Sequence, residues 1–285
     1  MSDLTVRIAS LYVHPVKSCA GVSPAQALLS PTGLQHDRRW MIVTPDGQFV
    51  TQRQLPRMAL IRTALEGDGL RLDAPGLPSL RPAPHAAGRP CRVTVWKDEV
   101  AARDLGDEAA AWLAQALGQS LRLVAFEPEQ PPRLSSRDWT GDLQAPNHFS
   151  DGFPVLVTST AGLQALNRRL AERGIAPVGM ERFRPNLVLD GLEDANGEDF
   201  IDELRFETAE GPVVLKLVKP CVRCTIPSVD PRTGEQGTEP GDTLSSYRAD
   251  SRMGGGITFG MNAVIVEGVG RTLAVGMPGE ASLAF

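Results

Sequence analysis

Short apolar segments separated by glycine and proline run through most of the chain and constrain its fold more than any other feature. Two of them flank Pro45-Asp46-Gly47 and predict a hairpin, because glycine supplies the positive φ that such a turn needs. The strands predicted before residue 105 are Val6 to Val13, Trp40 to Thr44, Gln48 to Thr51, Ala59 to Leu65 and Cys91 to Trp96. The first part of the chain is therefore predicted to be almost wholly β.

Helical patterns interrupt the strands clearly at only two places. Asp107 to Leu117 is rich in helix formers and is followed by Gly118, a suitable residue for a left-handed helix end. A second helix is predicted to begin around Ser159 and to stop before Gly174. Strand patterns return at Asn186 to Leu189, Glu203 to Phe206, Val213 to Val218, Asn262 to Val266 and Thr272 to Val275. Strands that outnumber helices, without regular alternation, predict an α+β, mainly β, barrel-like fold and not an alternating βαβ fold.

The length of the chain and one proline-rich segment predict two domains. A chain of 285 residues exceeds the usual size of one compact core. Residues 128–149 are polar and rich in proline, which is typical of a long surface loop or connection. We therefore predict domains at residues 1–125 and 126–285, with the boundary inside that segment.

Composition and charge exclude several classes of protein. Hydrophobic residues make up 42% and charged residues 22%, which is ordinary for a protein that folds throughout. The N-terminus lacks the basic and then apolar pattern of an export signal, and no window approaches about 18 uninterrupted apolar residues, so we expect a cytoplasmic protein outside the membrane. A formal charge of −5 argues against binding of a nucleic-acid polymer, which requires clustered positive charge.

The spacing of Cys221 and Cys224 allows four interpretations. A structural zinc site needs four ligands, and no second cysteine pair or nearby histidine supplies the others. A thioredoxin-like redox pair normally begins a helix, whereas Thr225-Ile226-Pro227 favours extended chain. The third interpretation is a pair of small buried residues with no chemical role. The fourth is one thiolate ligand for a metal carried by an organic cofactor, since residues three apart on a strand point to opposite faces.

The residues around this pair resemble the signature of the MOSC family, named for the C-terminal domain of the molybdenum cofactor sulfurase. Residues 219–234 carry that signature. Earlier motifs resemble the β-barrel domain that precedes MOSC in bacterial YcbX-like proteins and in the mitochondrial amidoxime-reducing component. The further matching segments are Tyr12 to Cys19, Gly33 to Trp40, Thr51 to Gln54, Arg182 to Asn186 and Phe259 to Asn262. The resemblance implies an N-terminal β-barrel-like domain packed on a MOSC β-barrel domain that contains a few helices.

The resemblance also implies a molybdenum cofactor and the residues that hold it. The second cysteine of the pair, Cys224, corresponds to the molybdenum ligand and to the catalytic centre, which leaves Cys221 a structural role. Lysine and arginine are suited to the remaining positions because the cofactor is anionic through its phosphate and dithiolene. The implied cofactor-binding residues are Lys17, Ser18, Arg38, Asp151, Arg184 and Asn186.

Two parts of this implied site depend on local structure. Arg184 and Asn186 are two residues apart, so on a strand their side chains would share one face. Asp151 matches a polar loop position in relatives, but Gly152 and Phe153 stand where the animal enzymes have hydroxyl residues. The loop that carries Asp151 therefore departs from the pattern of the relatives.

The activity implied by the resemblance is reduction of N-hydroxylated compounds, including hydroxylamines, amidoximes and N-hydroxylated bases, with molybdenum cycling between Mo(VI) and Mo(IV). No cysteine follows Cys224, so no iron-sulfur cluster is expected, and electrons would come from a separate ferredoxin or flavodoxin with its reductase. We expect a monomer. A sulfur carrier with a cysteine persulfide and a cofactor carrier without turnover are alternative hypotheses, and pyridoxal phosphate binding is a further hypothesis at the level of the family.

Overall fold

The computed structural model describes residues 3–284 and is built mainly from strands. The strands are β1 (Leu4–Leu11), β2 (Gln26–Ser30), β3 (Gly33–Leu34), β4 (Trp40–Val43), β5 (Arg62–Glu66), β6 (Gly69–Asp73), β7 (Arg89–Val95), β8 (Asp98–Asp104), β9 (Arg122–Phe126), β10 (Arg133–Leu134), β11 (Pro146–Asn147), β12 (Val155–Ser159), β13 (Leu187–Asp190), β14 (Ile201–Thr208), β15 (Gly211–Val222), β16 (Ala249–Asp250), β17 (Gly256–Glu267), β18 (Thr272–Ala274) and β19 (Pro278–Leu283). The α-helices are α1 (Asp107–Leu117), α2 (Arg137–Thr140), α3 (Thr160–Glu172) and α4 (Gly241–Ser245). None of the helices between residues 3 and 284 has both the length and the apolar character needed to span a bilayer.

Seven strands close into a barrel in the order β12-β13-β1-β19-β14-β15-β17, and β17 pairs back onto β12. The β12–β13 pair is parallel, and the other pairs around the barrel are antiparallel. Alternate side chains along each strand point inward and form one apolar core, which includes Ile8, Leu204 and Phe206. Closure leaves the seven strands with no free edge among themselves.

A second sheet has the order β4-β9-β8-β7, and its strands β4 and β9 are buried on both faces. Trp40 and Ile42 of β4 point to one face and pack with α1, whereas Met41 and Val43 point to the other face and pack near Phe149. Since Phe149 follows β11, the later part of the chain supplies part of this core. The α+β, mainly β fold with two barrel-like parts is confirmed.

The division at residues 1–125 and 126–285 stays a prediction. Strand pairing crosses that boundary, because β1 pairs with β13 and β19 and completes the seven-strand barrel. A smaller sheet also crosses it, since β18 pairs with β2.

Two local predictions are wrong. The strand predicted from Ala59 to Leu65 begins as a 3-10 helix, Pro56–Leu60, because proline is favoured at the start of a helical turn. The segment 128–149, predicted as a surface loop, contains α2 and the ribbon of β10 and β11. It is anchored by Phe149, which lies edge-on to Phe126 with ring centroids 5.6 Å apart and is fully buried.

The two predicted helices are confirmed, and each ends or begins as its sequence indicated. Gly118 follows α1 in the left-handed conformation, with φ +75°. Ser159 precedes α3, and its hydroxyl accepts a hydrogen bond from the Gly162 amide at 3.0 Å. The same hydroxyl donates to the buried carboxylate of Glu198 at 2.5 Å, which ties α3 to the turn at residues 197–200.

Replacing Ser159 with alanine is expected to lower the free energy of unfolding by about 1 to 2 kcal/mol, since both hydrogen bonds are lost. Ser136 before α2 is a matched control, because its side chain makes no capping bond to the helix backbone. Ser136→Ala should change the free energy of unfolding by less than about 0.5 kcal/mol. Urea unfolding of the two variants measures the difference, and equal effects would contradict the capping role.

Burial raises the pKa of the Glu198 carboxyl to about 7. The folded state therefore holds this proton more tightly than the unfolded state, and the free energy of unfolding falls as pH rises from about 4.5 to about 7. Between pH 5 and pH 8 the wild-type protein should lose on the order of 2 kcal/mol more stability than Glu198→Gln. Urea unfolding at both pH values checks this, and equal losses in the two proteins would contradict it.

Candidate functional site

One cleft, which we call the cysteine cleft, lies where the end of β15 meets loops from both halves of the chain. All of the residues predicted from the resemblance line it: Lys17, Ser18, Arg38, Asp151, Arg184, Asn186 and Cys224. Residues far apart in the sequence are thus brought to one place by the folding of loops around the barrel end.

Cys221 and Cys224 both line the cysteine cleft, so the prediction that they point to opposite faces is wrong. Strand β15 ends at Val222, and the chain after Cys224 is not extended, because residues 226–228 form a 3-10 turn. Proline at the start of that turn favours the turn over continued strand. Cys224 is exposed in the cleft, whereas Cys221 is half-buried and its sulfur accepts a hydrogen bond from Arg223 Nη1 at 3.1 Å.

The other two cysteines do not compete with Cys221 and Cys224 as candidate metal ligands. Cys91 lies on β7 and Cys19 is fully buried. Burial raises the pKa of the Cys19 thiol to about 12, so it stays a neutral thiol at physiological pH. Neither of them lines the cysteine cleft.

Lys17 and Asp151 form an ion pair at one side of the cleft, with Nζ 2.6 Å from Oδ1. Lys17 also donates to the Phe149 carbonyl at 2.8 Å and is only 5% exposed. Burial lowers the pKa of Lys17, and the charge of Asp151 partly restores it. Desolvation would raise the pKa of Asp151, but the Lys17 charge and hydrogen bond outweigh it and hold that pKa well below its usual value. The carboxylate is therefore ionised at neutral pH.

Arg38 links the two halves of the chain at the floor of the cleft. Its guanidinium donates to the Asp37 carboxylate at 2.5 Å and to the Arg184 carbonyl at 3.0 Å. Both polar atoms of the Asn186 side chain have protein partners. Its Oδ1 accepts from the Leu156 amide at 3.0 Å and from Arg38 Nη1 at 3.4 Å, and its Nδ2 donates to the Tyr12 carbonyl at 3.2 Å. Asn186 therefore has the contacts of a residue that positions strands.

The prediction that Arg184 shares a strand face with Asn186 is wrong. Arg184 ends the 3-10 turn Met180–Phe183 in the left-handed conformation, and β13 begins only at Leu187. Its Nη1 donates to the Cys19 carbonyl at 2.6 Å, while its Nη2 is buried without a hydrogen-bond partner among the described residues. Burial, together with the nearby charge of Arg38, lowers the pKa of Arg184 to about 10, so it stays charged.

Backbone strain is concentrated at the cysteine cleft. Within residues 3–284, six residues other than glycine have positive φ, and Ser18, Arg38 and Arg184 are three of them. Such conformations cost roughly 1 kcal/mol or more for residues with a Cβ and persist where surrounding contacts enforce them. Gln52 supplies one such contact by donating to the Ser18 carbonyl at 2.8 Å. The strain favours a functional role for this cleft over a purely structural one.

Two arginines that line the cleft were missed by sequence reasoning. Arg223 lies between the cysteines, where its Nη2 donates to the Phe183 carbonyl at 2.7 Å and its Nε is buried without a partner among the described residues. Arg53 belongs to a matching motif, but nothing in the sequence indicated that it faces the same cleft as Arg223. With these two, the cleft is lined by five cationic side chains and one carboxylate, that of Asp151.

Comparison with known protein families accounts for most of the chain. The MOSC N-terminal beta barrel domain matches residues 5–120, and the MOSC domain matches residues 144–278. The chain belongs to the MOSC-domain family.

Curated relatives are similar to this MOSC protein across both of its matched domains. Mitochondrial amidoxime-reducing component 1 of Mus musculus is 39% identical over 254 residues, which are 85% of this chain and 71% of the relative. The Homo sapiens component 1 is 39% identical over 255 residues, with 85% and 72% covered. Mitochondrial amidoxime reducing component 2 of Homo sapiens is 37% identical over 253 residues, with the same coverage of 85% and 72%. The resemblance inferred from the motifs is thereby confirmed.

The chemistry of the cleft in this MOSC protein fits an anionic cofactor. The unpartnered N–H groups of Arg184 and Arg223 are buried donors that need an acceptor, and a phosphate or dithiolene would supply one. Phe153, which is half-buried, gives the cleft an apolar wall suited to a flat ring system. Residues 3–284 contain no cluster of three or more His, Cys, Asp or Glu side chains placed as metal ligands.

Proposed function

We propose that this MOSC protein is a molybdenum-cofactor-dependent reductase of N-hydroxylated compounds. The observation that carries the proposal is the juxtaposition, in one cleft, of an exposed cysteine, Cys224, with two half-buried arginines. Each of these, Arg184 and Arg223, has a buried N–H group without a partner among the described residues. The names of the relatives, which describe amidoxime reduction, support the substrate class.

In this proposal Cys224 anchors the metal, and the buried cations neutralise the cofactor. Lys17, Arg38 and Arg184 are the proposed cofactor-binding side chains, with Ser18 and Asp151 on the adjoining loops. Asn186 acts through its hydrogen bonds by holding the backbone beneath them. Once bound, the cofactor would supply two-electron transfer and accept the oxygen of the N–O bond.

The overall reaction consumes two electrons and two protons, cleaves the N–O bond, and gives the N–H product and water. Asp151 is a poor proton donor for this step, because its ion pair with Lys17 keeps it deprotonated. The exposure of Cys224 places the reacting end of the cleft in contact with solvent, which can deliver protons directly. We propose a separate ferredoxin or flavodoxin, with its reductase, as the electron source.

Elemental and pterin analysis of the purified protein tests the cofactor, and reduced viologen with benzamidoxime or hydroxylamine tests turnover. Stoichiometric molybdenum together with amidine or ammonia formation is the expected result. A metal-free protein carrying labile sulfane sulfur would overturn the proposal in favour of a sulfur carrier. A fully loaded protein that reduces neither substrate would overturn it in favour of a cofactor carrier.

A further inference from the structure

Trp96 is an exposed and strained aromatic residue beside the cysteine cleft. It lies in the turn between β7 and β8, has φ +57°, and is 46% exposed. Positive φ is disfavoured for a bulky residue, and exposure of an indole to water is unfavourable. The positive φ is required by the two-residue turn, because Val95 pairs with Asp98 and Trp96 takes the first turn position, which glycine usually fills. The turn does not account for a large exposed indole at this position.

Trp96 is not itself one of the residues that line the cleft, but it contacts two that are. Its Nε1 donates to Asp151 Oδ1 at 3.3 Å, and the Arg53 guanidinium lies 4.7 Å from its ring centroid. Asp151 and Arg53 both line the cysteine cleft. Phe49 supports the indole from another side, with ring centroids 5.0 Å apart and an interplanar angle of 58°. The indole is thus held in a defined orientation while much of it stays open to solvent.

The cleft changes character from its floor to its rim. Arg184 and Arg223 are half-buried, and each has one buried donor without a partner among the described residues. Val222, which lines the cleft, is by contrast an exposed apolar residue, 45% exposed, and so is Trp96 next to the lining residues Arg53 and Asp151. A ligand with a polar reacting group and a flat apolar body would match both regions at once.

We propose that Trp96 is a specificity-determining residue that stacks against the aromatic body of flat N-hydroxylated substrates, such as aryl amidoximes. This inference rests on the proposed reductase function and names the part of the substrate that the protein recognises. A ring stacked on Trp96 would cover the exposed indole. Substrates without a ring gain nothing from this residue.

Comparison of two substrates tests the proposal in the cofactor-loaded protein. Trp96→Ala is expected to lower kcat/KM for benzamidoxime roughly 10-fold, mainly through KM, and to leave hydroxylamine reduction within about two-fold of wild type. Trp96→Phe keeps a ring but loses the hydrogen bond to Asp151, so it should retain most of the preference for benzamidoxime. Phe200→Ala, at an aromatic residue that is 63% exposed and outside the cleft lining, is the matched control and should change neither substrate.

Equal losses for both substrates in Trp96→Ala would overturn the proposal and assign Trp96 to positioning of the Asp151 loop. Unchanged kinetics for both would overturn it as well. Calorimetric titration with benzamidoxime, which requires no turnover, separates this inference from the proposed function. Trp96-dependent binding in a protein that reduces nothing would support the stacking role and refute the reductase, whereas reduction with Trp96-independent binding would refute the stacking role alone.

Discussion

Cys224→Ala is expected to contain almost no molybdenum and to lose at least roughly 100-fold in reduction of N-hydroxylated compounds. Replacing a residue that only contacts a metal ligand costs ~10- to 100-fold, and loss of the ligand itself should cost more. The fold should be unaffected, since Cys224 is exposed and lies beyond the end of β15. Elemental analysis, pterin analysis and the viologen assay measure the loss. An unchanged thermal unfolding midpoint would show that the protein still folds.

Two other cysteines provide controls for that result. Cys221→Ala removes a sulfur that lines the same cleft, and Cys91→Ala removes one on β7 outside it. Both should keep most of their molybdenum. Metal retained in Cys224→Ala but lost in Cys221→Ala would reverse the assignment of the ligand, which the structure alone leaves open because both sulfurs line the cleft.

Arg184→Met is expected to weaken cofactor retention by up to ~100-fold while leaving the cofactor-free protein as stable as wild type or slightly more stable. The first effect follows because the buried Nη2 is a charged donor available to an anion, and such bonds contribute about 1.5 to 3 kcal/mol. The second follows because burial of this guanidinium beside Arg38 is unfavourable without an anion, and methionine fills a similar volume. Pterin content after dialysis and thermal unfolding of the cofactor-free protein measure the two effects.

Arg205→Met is the matched control, since this arginine lies on β14 with an exposed side chain that pairs with Glu207. It should alter neither cofactor content nor stability by a measurable amount. A large loss of stability in cofactor-free Arg184→Met would instead indicate that the bond from Arg184 to the Cys19 carbonyl is mainly structural.

The fold was predictable where local signals agree with packing. Gly118 marked the end of α1, Ser159 marked the start of α3, and strand patterns marked parts of the long strands β14, β15 and β17. Prediction failed where tertiary contacts decided the structure. Phe149 turns a polar, proline-rich segment into part of a core, and no local pattern indicates that it will pack against Phe126.

The members of the candidate site were predictable from motif resemblance, but their roles were not. The side-chain amide of Asn186 forms hydrogen bonds with backbone groups of Leu156 and Tyr12, which only the folded arrangement reveals. Positive φ at Ser18 and Arg184 is invisible in the sequence, because glycine is the usual signal for that conformation. Arg223 was not predicted as a site residue for a similar reason, since one sequence does not show which arginines will lie together in the fold.

The position of β1 in the seven-strand barrel means that residues 12–154 connect the first strand of that barrel in sequence, β1, to the second, β12. Ile8 pairs with Leu189 and Thr5 with Glu280, so β1 has partners on both sides only once the chain as far as Glu280 has been synthesised. Such long sequence separations slow folding. A fragment that starts at residue 126 would expose the edges of β13 and β19, which are templates for aggregation. Dissection of this protein into working halves must therefore keep residues 4–11 with the later strands, by circular permutation or by supplying them as a peptide.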